Sequence, residues 1–312
     1  MNQTSCTLCP RSCRVDRDSG EKGFCGETSQ LKIAAACLHF GEEPPITGTG
    51  GSGAIFVSGC NLRCVFCQNY QISQQGMGKI VSTEEFAQIA LALQKSGAEN
   101  INIVTASHAA EAIANGIYYA KQHGLKLPCL WNSSGYESDS TLEILKNFID
   151  IYLPDLKTLD NKTAADFFNA PDYPKTATNS ILKMIATGSP VIIRHLVLPF
   201  HLDDTKNVLQ WIADNAKDNA QLSVMTQYTP VNIKPEMSSL MQPNRFINRD
   251  EYNTVLQWLD DFSCDCSIQG FYQELETSDE WLPDFEKPNP FSSSLSKIIW
   301  HWKWGFNIPA MP

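Results

Sequence analysis

Three cysteines, Cys60, Cys64 and Cys67, stand together in the stretch Cys60-Asn61-Leu62-Arg63-Cys64-Val65-Phe66-Cys67, spaced C-x3-C-x2-C. Three thiolates are one short of the set that encloses an iron–sulfur cube. They are also one short of the four ligands that close a structural zinc site. A cluster held by three cysteines leaves one iron open to another ligand, whereas a zinc knuckle would recruit a distant Cys or His. The run Gly53–Gly59 before them is apolar and bounded by glycines, which predicts a buried strand. The thiolates therefore sit where a strand ends, the place at which α/β sheets and barrels gather their chemistry. The x3 spacing on such a loop favours the cluster over the knuckle.

A second set lies at the front of the chain. Cys6, Cys9, Cys13 and Cys25 follow the pattern C-x2-C-x3-C-x11-C. Four sulfurs close a tetrahedral site, and zinc and a second iron–sulfur cluster both suit them. Few apolar residues surround these cysteines, so bound metal is expected to hold the segment together. Arg11 and Arg14 would favour the thiolate form. Cys37, within Ile33-Ala34-Ala35-Ala36-Cys37-Leu38, is expected as an apolar strand residue. The turn His39-Phe40-Gly41-Glu42-Glu43-Pro44-Pro45 carries two carboxylates and is expected as a solvated loop.

The 312 residues suggest one barrel-sized domain with an appendage, or two small domains, and a hydrophobic content of 43% suffices for a large core. No apolar run is long enough for a membrane-spanning helix, and the first residues lack the basic and apolar regions of a signal peptide. A formal charge of −10 argues against loose nucleic-acid binding. Of the 11 cysteines, those up to Cys67 cluster at short spacings, which points to reduced, metal-holding thiolates in the cytoplasm rather than disulfides.

Elements able to position these residues alternate along the chain. Ser82-Thr83-Glu84-Glu85 has the form of a capping box, and Phe86, Ile89, Ala90 and Leu93 then recur at helical spacing up to Gly97. Further helices are predicted over residues 109–123, 141–148, 163–168, 176–186, 205–215 and 249–262. Strands are predicted over 101–105, 127–131, 150–153, 191–198, 222–226 and 268–272. Strands alternating with helices imply parallel strands joined by right-handed crossovers, hence an α/β fold and a partial or complete (β/α) barrel. Residues 1–50 form the Cys-rich metal-binding segment, residues 51–275 the barrel, and residues 276–312 an aromatic cap bearing Trp281, Trp300, Trp302 and Trp304. A proline-containing loop is expected from Pro230 to Pro243. The strand ends bring further polar residues to one rim, among them Ser107, His108, Asn132, Asp155, Lys157 and Gln227. Arg194 and His195 are adjacent on a strand, so only one of them can point inward.

The C-x3-C-x2-C loop resembles the signature of the radical S-adenosylmethionine (SAM) enzymes. The segments CNLRCVFCQNY, NSSGY, PDLK and IRHLVLP, in this order, resemble the activating enzymes of pyruvate formate-lyase and other glycyl-radical enzymes. CPRSC, GFCG, GEEPP, GSGAIF and QYTP narrow the likeness to the branch described as pyruvate formate-lyase activating enzyme homologues. The resemblance covers about residues 6–275. It implies a barrel of radical SAM type with a [4Fe–4S] cluster on Cys60, Cys64 and Cys67. It implies SAM as the ligand of the open iron, with Phe66 beside the adenine and Asn132 and Lys157 near SAM. Two departures are visible. Thr105-Ala106-Ser107-His108 stands where the Gly-Gly-Glu motif is expected, and Asn132 replaces an aspartate. The implied chemistry is reductive cleavage of SAM to a 5′-deoxyadenosyl radical that takes a hydrogen atom from a substrate. That substrate is a glycyl-radical enzyme or a small molecule, and the electron donor a flavodoxin or ferredoxin. A non-catalytic iron–sulfur or zinc-binding protein is the reading from another class.

Overall fold

Alanine and β-branched runs on either side of the Glu42–Glu43 turn make the first pair of strands. β1 (Lys32–His39) and β2 (Ser52–Val57) run antiparallel, with Cys37 opposite Ala54 and His39 opposite Ser52. Cys37 is fully buried, as an apolar strand residue should be. This computed structural model describes residues 5–216, 218–231, 245–266, 269–276, 279 and 281–309. β3 (Lys79–Ile80) is a short addition to β1.

From β2 the sheet continues in parallel through β4 (Ile101–Val104), β5 (Cys129–Ser133) and β6 (Ile151–Pro154). β7 (Ile192–Leu196), β8 (Gln221–Met225) and β9 (Gly270–Tyr272) form a second parallel set. Two parallel bridges, Tyr152 with Val191 and Asp155 with Arg194, join β6 to β7. Seven parallel strands thus follow one another in an arc. Among the described residues β9 pairs only with β8, so the barrel is partial and open on that side.

Crossover helices cover the outside: α3 (Thr83–Lys95), α4 (Ala110–Gln122), α5 (Asp139–Leu145), α6 (Asn161–Phe168), α7 (Tyr173–Ala186), α8 (Leu202–Asn215) and α9 (Arg249–Cys266). The two single-turn helices before α3 are α1 (Pro44–Thr47) and α2 (Tyr70–Ser73). Ser82 caps α3 by accepting from the Glu85 N–H at 3.2 Å. The reciprocal half of the expected capping box does not form, because the Glu85 carboxylate pairs with Lys79 at 2.7 Å. Phe86, Ile89, Ala90 and Leu93 are buried along one face of α3, the stripe that helical spacing demands.

Two expectations change. β5 starts and ends two residues later than predicted, after Pro128, which has no N–H to give to a ladder. Asn132 therefore lies within the strand rather than on the loop after it. The aromatic tail, expected as a cap, supplies an edge strand, β10 (Ser296–His301), antiparallel to β1, with Trp300 buried near its end. The span 1–50 contributes β1 to the same sheet. Most of the loop from Pro230 to Pro243, and Ile268 of the last predicted strand, lie outside the described residues.

Candidate active site

The cysteine loop leaves β2 through Gly59, whose φ of +84° is a left-handed conformation that suits glycine. A Cβ there would also stand 2.6 Å from Glu27 Cγ and 2.9 Å from His108 Nε2, so only glycine fits. Beyond it the loop is tied at both edges. The Arg63 and Val65 N–H groups donate to the carbonyls of Phe168 (3.2 Å) and Phe167 (2.9 Å), and Asn61 Nδ2 donates to Tyr136 O at 2.7 Å. Cys67 N–H donates to Cys64 O at 3.2 Å, which curls the loop back on itself.

Cys60, Cys64 and Cys67 all open into one cavity of about 310 Å³. Burial pushes the Cys60 thiol up to about 11 and raises Cys64 and Cys67 as well. The cations of Lys157 and Arg63 pull Cys60 and Cys67 partly back. As the side chains stand, no three His, Cys, Asp or Glu groups among the described residues are close enough together to hold a metal ion. The donor set nevertheless fits the cluster. Three soft thiols share one pocket wall, near enough to perturb one another electrostatically, with a basic side chain at hand. That count leaves one position of a cubane open.

Phe66, Asn132 and Lys157 line the same cavity. Phe66 packs edge-on against Tyr228 (5.1 Å between ring centres), Phe168 (5.9 Å) and Phe167 (6.2 Å). Asn132 stands between Val104 and Leu153 in the parallel register, with its side chain in a nearly closed environment. The Lys157 ammonium is paired with Asp155. Burial works against its charge, but Asp155 and the neighbouring Cys64 more than offset this and hold its pKa above the ordinary lysine value. The Tyr173 hydroxyl meets the carbonyls of Ser134 and Asp155, both at 2.8 Å, and accepts from the Lys157 N–H at 3.0 Å. One buried phenol thereby fixes the two strand-end loops that carry Ser134 and Lys157.

The front cysteines lie elsewhere, behind the loop. Cys9 and Cys25 are buried and Cys6 and Cys13 half-buried, none of them on the cavity. Burial lifts Cys9 to about 12, with Cys25 and Cys13 adding to the effect. Their segment is bonded to the central loop. Arg11 Nε donates to Asn61 O at 2.8 Å, and Arg63 donates to Phe24 O. Buried Arg17 donates to His108 O at 2.6 Å.

Sequence reasoning missed one group. Glu42 and Glu43, expected on a solvated loop, are turned into the barrel and ion-paired with Arg194. Arg194 Nε donates to Glu43 Oε1 at 2.8 Å. Burial disfavours the charge on Glu43, but the guanidinium beside it more than offsets this and holds its pKa below the ordinary value. His195 faces the other way, between Leu156 O (2.7 Å) and Thr205 Oγ1 (3.0 Å), so Arg194 is the inward member of the pair. The available signal was an arginine inside a strand that is apolar apart from His195, since such a charge is rarely buried without an acid.

A family model described as the radical SAM superfamily matches residues 54–212. The chain is 30% identical over 272 residues to the uncharacterized protein MJ0674 of Methanocaldococcus jannaschii, which covers 84% of this chain and 76% of that protein. It is 24% identical over 192 residues to the pyruvate formate-lyase-activating enzyme of Clostridium pasteurianum, covering 59% of this chain and 78% of that enzyme. Among solved structures, Streptococcus suis SuiB bound to S-adenosylmethionine shares the fold with a TM-score of 0.54 at 15% identity. The match covers 70% of this chain and 49% of SuiB, so the chain spans about half the length of that structure. No helix among the described residues is long and apolar enough to cross a membrane.

Proposed function

Since this chain belongs to the radical SAM superfamily, we propose that it cleaves SAM reductively at a [4Fe–4S] cluster on Cys60, Cys64 and Cys67. The observation that carries this reading is the shared cavity, which holds all three thiols together with Phe66, Asn132 and Lys157. When bound, the reduced cluster and SAM supply a 5′-deoxyadenosyl radical, whose chemistry belongs to the cofactors.

The chain's own residues bind, orient and exclude water. Cys60, Cys64 and Cys67 would hold the cluster, three thiolates for its four irons. Phe66 and its ring partners form an apolar wall that would receive the adenine. Asn132 offers a neutral amide where a charged acid would repel a carboxylate. Lys157, already charge-compensated by Asp155, presents N–H donors at the same rim. Replacing Asn132 or Lys157 by Ala is expected to weaken SAM binding about tenfold, roughly 1.4 kcal/mol, while iron content stays at the parent level. Equilibrium binding of SAM to the reconstituted variants checks this, and unchanged affinity in both would move SAM elsewhere.

A protein glycine as the hydrogen donor is supported by the likeness carried by CNLRCVFCQNY, NSSGY, PDLK and IRHLVLP and by the Clostridium pasteurianum relative. A small-molecule substrate is the second reading, favoured by the charged groups deep in the cavity. A flavodoxin or ferredoxin would deliver the electron. Cys6, Cys9, Cys13 and Cys25 would hold a second metal, an iron–sulfur cluster or zinc, that is structural or electron-relaying. Replacing Cys9 and Cys25 together by Ser is expected to remove one metal site and lower the melting temperature, because such a site contributes on the order of 10 kcal/mol of folding energy. Metal analysis that matches the parent would refute the second site.

A further inference from the structure

The cavity runs deeper than the cysteine rim. His39 pairs with Ser52 at the start of β2, whereas Cys60 follows the end of that strand. A strand of this length spans about 20 Å. His39, Glu42 and the guanidinium of Arg194, which reaches inward from a strand residue bridged to Asp155, form a floor to the same cavity. Barrel interiors are ordinarily packed with Val, Ile and Leu. Replacing a buried ion group by apolar residues is often neutral or stabilising, so fold stability alone does not account for a charged floor.

The charges there do not cancel. Glu42 and Glu43 face a single guanidinium, Arg194. His39 accepts from the Gly41 N–H at 3.2 Å and stands 4.0 Å from Glu42; burial lowers its pKa, and Arg194 adds to this against the opposing pull of Glu42, which favours the neutral ring. At the rim Asp155 and Lys157 neutralise each other. The floor is left with one net negative charge, and acceptors remain open there. A carboxylate offers about four lone-pair sites. Glu42 uses one on Asn102 Nδ2 at 3.0 Å and one on Arg194. Asn102 is fully buried, and its Oδ1 has no partner. Aromatic rings form the adjoining wall. Phe56 and Phe291 stand 5.3 Å apart, Phe291 meets His39 edge-on at 4.9 Å, and Trp281 lies against Gly41. Two carboxylates that share one guanidinium, beside aromatic rings, suit an organic cation.

We propose that the floor formed by Glu42, Asn102, Trp281 and Phe291 is a substrate subsite that binds an alkylammonium group. A lysine side chain and a free small amine share that chemistry. The inference rests on the radical SAM reading only in calling the ligand a substrate. Binding itself needs no cluster, so the two ideas fail separately.

The test is calorimetric titration of the full chain, with SAM present, using n-butylammonium, n-butanol and butyrate as probes. Butylammonium is expected to bind at roughly millimolar affinity, at least tenfold tighter than butanol, with no binding of butyrate. Glu42→Gln removes the net charge while keeping the shape. It should weaken butylammonium at least tenfold and leave SAM affinity within twofold. N-acetyl-lysine N-methylamide forms a second arm. Tighter binding than butylammonium assigns a polypeptide lysine, and weaker or equal binding assigns a small amine. Butyrate binding as well as butylammonium does, or no amine binding at all, overturns the proposal. So does a Glu42→Gln loss shared equally by SAM. The comparison of probes on the parent chain stands even where the variant fails to fold.

Discussion

A chain in which Cys60, Cys64 and Cys67 are all replaced by Ala is expected to lose about four irons and all SAM cleavage above background. The three thiols share one cavity wall, and no other cysteine among the described residues lines that cavity. The front cysteines cannot substitute for them, because Cys9 and Cys25 are buried behind the loop. The fold should survive. The loop is held by backbone bonds from Arg63 and Val65 to α6 and by Asn61, none of which uses a sulfur. Anaerobic reconstitution, iron analysis and product detection on the triple variant give the answer. Iron and activity at parent level would remove the cluster from this loop.

Arg194→Met is expected to lower stability by about 3–5 kcal/mol, the cost of leaving buried charge without its partner. Glu42 and Glu43 would then face each other with no guanidinium between them. The triple replacement Glu42→Gln, Glu43→Gln and Arg194→Met should recover much of that loss, since no uncompensated charge remains. The two variants also differ from the parent in their response to pH. In the parent, Arg194 holds the pKa of Glu43 below its ordinary value of 4.5. That contribution is fully present above the unfolded-state pKa and is lost as pH falls through the acid range. In Arg194→Met, burial alone acts on the carboxylates and raises their pKa. The sign reverses, and the variant loses stability as pH rises. Denaturant midpoints of parent and variant should therefore converge on acidification. A constant gap between pH 4 and pH 7 would show that the ion group contributes little.

The cysteine spacing, the strand before it, the capped helix at Ser82 and the alternation of strands and helices were all legible along the chain. Each depends on residues a few positions apart. Ligand spacing, helical periodicity and capping are short-range geometry, so linear order is enough to read them. The inward choice between Arg194 and His195 was half legible. Alternation along a strand says that the two diverge, but only the sheet's placement says which one reaches the lumen.

Other features depend on residues far apart in sequence. Glu42 and Glu43 read as a solvated turn because two acids before Pro44-Pro45 carry no periodicity. They are buried because β1 returns beside β2 and delivers them opposite Arg194, more than a hundred residues away. The tail reads as an irregular aromatic stretch, yet β10 forms because the outer edge of β1 has unpaired backbone groups to satisfy. The cysteine loop was legible as a ligand set. Its attachment to the front segment, through Arg11, Arg63 and the clearance left by Gly59, was not. Local spacing determines which groups can do chemistry. Which groups stand together, and which charges are stripped of water, is decided only once the sheet closes around them.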